Sequence, residues 1–494
     1  MRRACLLLFG CMLWAGVGLA GDVSVGGVHF VFMEPDPGPP GGDPPLCRKV
    51  TDPERVARLG QWLENDSARW AADVYRRART IAGVHGFAGK QPAEYFIALV
   101  PDGNSAAVGF RLRTAQGIEA YPRTAYIQLG PEQWRFTTTL LHETGHVALA
   151  MLAGGREVPK REIAAIPHTV AALTDRGTAF DEGFAIHLET MVAHVSAEPE
   201  VRQRYRHDQF LFGPEAQMRG EYYQHSSDLL TFAQTTARYG EVRDNNFAFA
   251  SAFKGPDYLR VQMEKARDFA TLRDADQLLQ SEGFYASFFF AILVRGSGTS
   301  APDQMRQRQD KVMTALGAMF GSRAFTAEAA YVLEFVESYR QLYPTEADEL
   351  LDVFLDLTHG VFVDPDAVSL WREHYLAALR LDVQQLGREK IDAARGRWRT
   401  TAAKEPKVLY SRLGPQLRCE VAGRTVRLVG LGTEAQLSMD VNTAEEGIVR
   451  MIPGITDVEV ASWLATRTRS PFASVEDFRT RAGLSEKTLG SLKF

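Results

Sequence analysis

The 494-residue chain predicts an α+β protein, mainly α, and three features of the sequence carry that expectation. Short β-prone runs bounded by Pro, Gly and Asn lie in the first third of the chain, EYFIALV (94 to 100) and TAYIQLG (124 to 130) among them. From about residue 160 to 400 helix-length apolar segments follow one another: YASFFFAILV, AAYVLEFVESYRQL, ELLDVFLDL and WREHYLAALRL. A compact unit of short amphipathic segments closes the chain at 437–494. Apolar residues make up 45% of the chain, enough to bury a large core. The net charge of −5 is made of scattered charges of both signs, which excludes a polybasic arm or an acidic tail.

Residues 1–20 stand apart. MRR is a short positive start, and ACLLLFGCMLWAGVGLA is apolar and ends in small residues at Gly18 and Ala20. This is the pattern of a secretory signal peptide cleaved after Ala20, so the expectation is an exported protein, periplasmic or secreted. The run is slightly short for a membrane anchor, and bulky Phe9 disfavours lipidation at Cys11. Cys5 and Cys11 leave with the signal. Cys47 and Cys419 remain, as one disulfide or as two separate buried thiols. In residues 21–50 GDVSVGGVHFVF alternates like a strand, and MEPDPGPPGGDPPLC is too rich in Pro and Gly for a helix. Residues 51–400 form the expected main domain. It opens on helical spacing over 52–82, started by Asp52-Pro53. Residues 401–436 read as a β-containing linker.

The chemistry concentrates in TLLHETGHVALAMLAG (139 to 154). Residues four apart share one face of a helix, so His142 and His146 can aim two imidazole nitrogens at one point, about 2.1 Å from a zinc ion. Glu143 projects beside them and can reach a water without ligating the metal. Leu140, Leu141, Val147, Leu149 and Leu152 make the segment a largely buried helix, where two histidines and a glutamate need partners to offset desolvation. Zinc needs a third protein ligand and an open position. The segment AFDEGFAIHLETMVAH places Glu182 at what reads as a helix entrance, with Asp181 near its cap.

HETGH on one helix followed by DEGFA on another resembles the gluzincin metallopeptidases. The resemblance implies His142, His146 and Glu182 as ligands of Zn2+ and Glu143 as the general base. It implies a peptide or protein substrate, with the strand TAYIQLG binding the substrate backbone as an added strand. On that reading zinc acidifies a water and polarises the scissile carbonyl, and Glu143 takes the water proton and later gives it to the leaving amine. His168, His187 and Glu189 are competing third ligands. Asp181 reads equally as a group orienting a histidine and as an N-cap. Tyr222, Tyr223, His225 and Tyr285 are candidates for stabilising the oxyanion, and Glu282 reads as a helix cap. The sequence departs from the family in two respects. The stretch GREVPKREIAAIPHTVAALTDRG lengthens the gap between His146 and Glu182, and there is no GxMEN motif, so endopeptidase is the implied class.

DVNTA, PGI, PFASVEDF and AGLSEKTL in 437–494 resemble a tandem helix-hairpin-helix domain, as in competence-type DNA receptors and type II secretion minor pseudopilins. DNA-binding versions present two hairpin glycines, and here Thr456 and Ser485 take the second place. Residues 437–494 hold seven Lys/Arg and eight Asp/Glu, whereas a DNA-binding face is basic. Arg467, Arg469, Arg479 and Arg481 offer at most a local basic patch. The tail therefore reads as a structural module or as a contact for an envelope protein partner, rather than as a nucleic-acid binder. Two rival readings are an inactive envelope scaffold and a DNA-associated envelope protein acting through the tail.

Overall fold

The computed structural model describes residues 22–37, 44–86, 92–101, 103–131, 139–160, 168, 170, 172–198, 242–251, 258–260, 267–294, 301–322, 325–378, 384–429 and 433–494. The fold is α+β and mainly α. The first hairpin, β1 (Asp22–Val25) and β2 (Val28–Pro35), turns through Gly26 and Gly27. Both glycines sit at positive φ, where a side chain would be strained. β3 (Leu46–Lys49) pairs with β2, and α1 (Pro53–Trp62) starts where Asp52 accepts the amides of Glu54 and Arg55. The helical stretch expected over 52–82 is two helices. Asn65 donates to Trp62 O at 2.6 Å, closing α1, and accepts the Ala68 amide at 2.9 Å, opening α2 (Asp66–Val84).

β4 (Tyr95–Leu99), β5 (Asn104–Thr114) and β6 (Gly117–Leu129) complete the sheet. Its pairings run β2–β3–β5–β6–β4 and return to β2, so the sheet closes on itself. One face carries Phe30, Phe32, Tyr95, Ile97, Ile127 and Leu129 into the helical core. The other encloses Val31, Met33, Phe96, Phe110 and Tyr126. The run TAYIQLG is the second half of β6 and lies between β4 and β5. From Ile127 to Leu129 β6 is therefore paired on both sides and offers no open edge to a substrate strand there, which corrects the expectation drawn from the resemblance. β5 meets β3 only at Arg111–Arg113. Among the described residues, β5 from Asn104 to Val108 has no strand partner besides β6, which leaves its outer edge open to an added strand.

α3 (Thr139–Leu152) and α4 (Arg176–Val195) follow. Beyond them come β7 (Phe249–Ser251), β8 (Tyr258–Arg260) and β9 (Arg267–Leu272). The helical body continues with α5 (Ala275–Leu279), α6 (Glu282–Val294), α7 (Pro302–Ser322) and α8 (Tyr331–Leu342). It ends with α9 (Ala347–Thr358), α10 (Ala367–Ala378) and α11 (Gln384–Lys404). α6, FFF and all, is buried nearly throughout, as its continuous apolar run requires.

β10 (Arg418–Val429) and β11 (Thr433–Asp440) form a hairpin, and β12 (Leu492–Lys493) adds to β10. These strands share one apolar core with the tail helices α12 (Glu446–Val449), α13 (Asp457–Arg469), α14 (Val475–Arg481) and α15 (Glu486–Leu489). Cys419, Val421 and Leu437 pack there with Trp463, Phe472 and Phe478. The strands of the expected linker thus fold with the tail. Cys47 and Cys419 are free thiols, buried in separate cores. Among the described residues no helix is long and apolar enough to cross a membrane. The signal pattern of residues 1–20 lies outside the described residues.

Candidate metal centre

Glycines bring the two site helices together. A Cβ on Gly145 of α3 would stand 2.8 Å from the Ala185 Cα of α4. A Cβ on Gly183 of α4 would stand 2.4 Å from the Tyr285 Cβ of α6. The glycines of HETGH and DEGF therefore let three helices cross at backbone contact. α3 is held to the sheet by Tyr95, whose hydroxyl lies 2.7 Å from Thr144 Oγ1, and Tyr95 stacks on Tyr75 of α2 at 4.2 Å. α4 begins at Arg176, capped by the Asp175 carboxylate on the Thr178 amide. Asp181 and Glu182 therefore lie in the second turn. The helix entrance expected at Asp181, and with it the N-cap role, is corrected.

Three donor atoms converge. His142 Nε2 and His146 Nε2 are 3.2 Å apart, and Glu182 Oε2 lies 3.3 Å from the first and 3.5 Å from the second. Ligands on a tetrahedron with bonds of about 2.1 Å are about 3.4 Å apart, so the triangle has the edge that a zinc ion requires. The other ring nitrogens face carboxylates. His142 Nδ1 meets Glu189 Oε1, and His146 Nδ1 lies 2.9 Å from Asp181 Oδ1. A proton on each Nδ1 leaves both Nε2 lone pairs aimed into the triangle. Lys160 Nζ sits 2.7 Å from Asp181 Oδ2 and 3.7 Å from Glu182 Oε1.

The electrostatics fit a dication. Burial opposes the charge on Glu182, but the imidazoles of His146 and His142 hold its carboxyl well below the usual carboxylate range. Burial likewise opposes charge on His142, and Glu189 and Glu182 raise it to about 9. Asp181 and Glu182 hold His146 well above its ordinary value against the same burial. With both imidazoles neutral, the carboxylates of Asp181, Glu182 and Glu189 outweigh Lys160, an excess of negative charge that a divalent cation would neutralise.

Glu143 lies beside the triangle and is 2% exposed. Its Oε1 accepts from Asn104 Nδ2 of β5, and its buried Oε2 has no partner among the described residues. Burial raises its pKa and so favours its protonated form. A cleft of about 390 Å³ opens over these residues. It is bounded by Asn104–Val108, by α3 from His142 to Ala150, and by Glu157, Val158, Lys160 and His168. The stretch that lengthens the gap between His146 and Glu182 therefore supplies much of one wall.

The remaining candidates fall elsewhere. His187 is 0% exposed, with Nδ1 on Phe184 O and Nε2 3.1 Å from Gln309 Oε1, and burial lowers it to about 4. It is a core histidine. Glu189 faces His142 Nδ1 rather than the metal position. Tyr285 is fully buried edge-on to Phe180 behind α4 and does not line the cleft. Tyr222, Tyr223 and His225 lie outside the described residues. His168 lines the cleft and directs Nδ1 at Glu282 Oε1, 3.0 Å away. Its bond to Glu282 and that carboxylate's charge raise it to about 9 against burial.

Sequence reasoning missed Asn104, Lys160 and the His168–Glu282 pair. The orienting place of Glu189 had a signal, since it lies seven residues, two helical turns, after Glu182. Nothing in the sequence marked Asn104 as the partner of Glu143.

In the tail, Gly454 and Gly483 take positive φ at the two helix–helix turns. The Glu459 carboxylate accepts the Thr456 amide at 2.8 Å, the Ser485 amide at 2.8 Å and the Thr488 hydroxyl at 2.9 Å. The four arginines do not gather into a basic patch: Arg467 is buried against Val441 O, and Arg481 pairs with Asp477 at 2.7 Å. No protein-family model, curated protein or solved structure matches the chain.

Proposed function

We propose that the protein is an exported zinc-dependent peptidase of gluzincin type. The observation that carries this reading is the triangle of His142, His146 and Glu182 at tetrahedral ligand spacing, with Glu143 unpartnered at Oε2 beside it. His142 Nε2, His146 Nε2 and Glu182 Oε2 would hold the metal. Zinc there would supply Lewis-acid polarisation of a carbonyl and a more acidic water. Glu143 Oε2 takes the proton of a water in the cleft and delivers it to the leaving amine, while Asn104 fixes Oε1. Asp181 and Glu189 keep both imidazoles in the ligating tautomer. His168, held through Nδ1 by Glu282, directs its other nitrogen to the cleft as a donor for the developing oxyanion. The open edge at Asn104–Val108 is suited to a peptide backbone, which favours peptide over other amide substrates.

For the tail we propose a structural or protein-contact role. A DNA-binding hairpin offers its amides to phosphate, but the Ser485 amide is taken by Glu459 inside the domain.

The test is metal content and turnover measured together. Purified protein is expected to carry one zinc, lost in His146→Ala. Cleavage of a peptide library is expected to vanish in Glu143→Gln with zinc retained. Zinc retained with no peptide cut by the wild type would sink the peptidase reading and favour the inactive scaffold.

A further inference from the structure

We propose that the cleft takes the amino-terminal end of a peptide, laid as an added strand along Asn104–Val108 with its free α-amine at Glu157. The inference rests on the peptidase reading and narrows it from mid-chain cleavage to chain ends. It starts from the open edge of β5. Side and direction alternate along a strand, so Asn104, Ala106 and Val108 share one direction for their backbone groups. Val108 shows which direction that is, because its amide leaves the sheet and donates to Glu157 Oε1 at 3.1 Å. The amide and carbonyl of Ala106 therefore face the cleft, where an added strand would pair with them.

The strand cannot continue past that point. The place where a substrate carbonyl would accept from the Val108 amide is filled by the Glu157 carboxylate. A peptide paired at Ala106 must end there, and its last group meets an acceptor with a negative charge. An ammonium fits that position, whereas a carboxyl terminus is repelled. Lys160, a cation whose field reaches Glu157, is engaged with Asp181 at 2.7 Å. Glu157 and Val158 thus close one end of the cleft, and Glu143 with Asn104 marks the reacting end. Asn104 and Val108 are four residues apart, about 13 Å along a strand. The bond presented to Glu143 then lies about three to four residues from the substrate amine. The products would be short amino-terminal oligopeptides.

The experiment uses the zinc-loaded full chain and one mixed-sequence hexapeptide library in two forms, free-amine and N-acetylated. Product fragments are read by mass spectrometry, and binding of uncut peptides is read by titration on Glu143→Gln. The variant is Glu157→Gln, which keeps an acceptor for the Val108 amide but removes the charge. The wild type is expected to cut and bind the free-amine library about three- to fivefold better, as befits an ion pair to the exposed Glu157. Fragments of three or four residues should dominate. In Glu157→Gln that preference should fall to parity, with melting temperature unchanged. Equal cutting of both libraries by the wild type overturns the proposal and leaves the peptidase reading intact, as does an amine preference that survives Glu157→Gln. Failure of the wild type to cut either library overturns the peptidase reading and this inference with it.

Discussion

Replacing Gly145 with alanine separates the geometry of the centre from the stability of the fold. The added Cβ would stand 2.8 Å from Ala185 Cα and 3.1 Å from Ala185 Cβ. Carbon atoms rest about 3.5 to 4.0 Å apart, so α3 and α4 must separate by roughly 0.7 to 1.2 Å. The atoms in the way belong to the backbone and a Cβ, so no flexible side chain absorbs the shift. Overpacking of this kind costs about 1 to 3 kcal/mol, and the better helix propensity of alanine returns about 1 kcal/mol. The net loss of stability is then small, from about 0 to 2 kcal/mol. The metal position is far less tolerant. His142 and His146 ride on α3 and Glu182 on α4, so the gaps of 3.3 and 3.5 Å change with the separation. Metal bonds tolerate about ±0.2 Å. Chelator competition on Gly145→Ala should show zinc affinity reduced about tenfold or more, with a melting temperature within a few degrees of wild type. Wild-type zinc affinity in a folded Gly145→Ala protein would refute the argument that this crossing makes the site.

Glu189→Gln, which weakens the carboxylate facing His142 Nδ1, should lower zinc affinity about 10- to 100-fold by the same competition assay. His168 is raised to about 9 and is therefore charged below that pH. Its contribution is present in full below about 6.5 and is lost as pH rises through about 9. Glu282→Gln should move the titration of His168, followed by proton NMR, back toward about 6.5, and the alkaline fall in kcat/KM should move with it. Glu459 is lowered to about 2 by the Ser485 amide first, against the cost of desolvation, and then by the Thr456 amide and hydroxyl. Its stabilising contribution is present above about 4.3 and is lost as pH falls through about 2. Glu459→Gln should cost the tail about 1 to 3 kcal/mol, read as faster hydrogen exchange at Ser485 and Thr488 amides at neutral pH.

The parts of this protein that the sequence declared are those where local pattern and chemistry coincide. The HETGH helix has an apolar surround and a stop at Gly154-Gly155, and α6 is an unbroken apolar run. The division of 52–82 at Asn65 was hidden because the apolar spacing continues through it, and only the two side-chain bonds of Asn65 end one helix and begin the next. β5 was not legible: NSAAVGFRLRT has small residues and a bulge at Gly109, and weak alternation gives no period-two signal. The error about which strand borders the cleft has the same root. Strand order is a property of long-range pairing, and β6 looks the better edge until β4 is seen on its other side. Of the site, the triangle was foreseeable from spacing and resemblance. Asn104, Lys160 and Glu282 come from distant segments whose only link to Glu143, Asp181 and His168 is tertiary.

The contacts between the helical body and the tail decide how the protein can be taken apart. Arg273 is buried between β9 and α5 and gives two bonds to Glu445 of the tail, at 3.0 and 2.8 Å. Asp276 holds Arg176, the first residue of the helix that carries Glu182, and also accepts the Gly414 amide at 2.9 Å. Removing the chain beyond α11 would take Glu445 from the Arg273 guanidinium and the Gly414 amide from Asp276, and would loosen the anchor at the root of α4. The body that carries His142, His146 and Glu182 is therefore not a detachable cassette, and its boundaries for expression run through to the last helix of the tail.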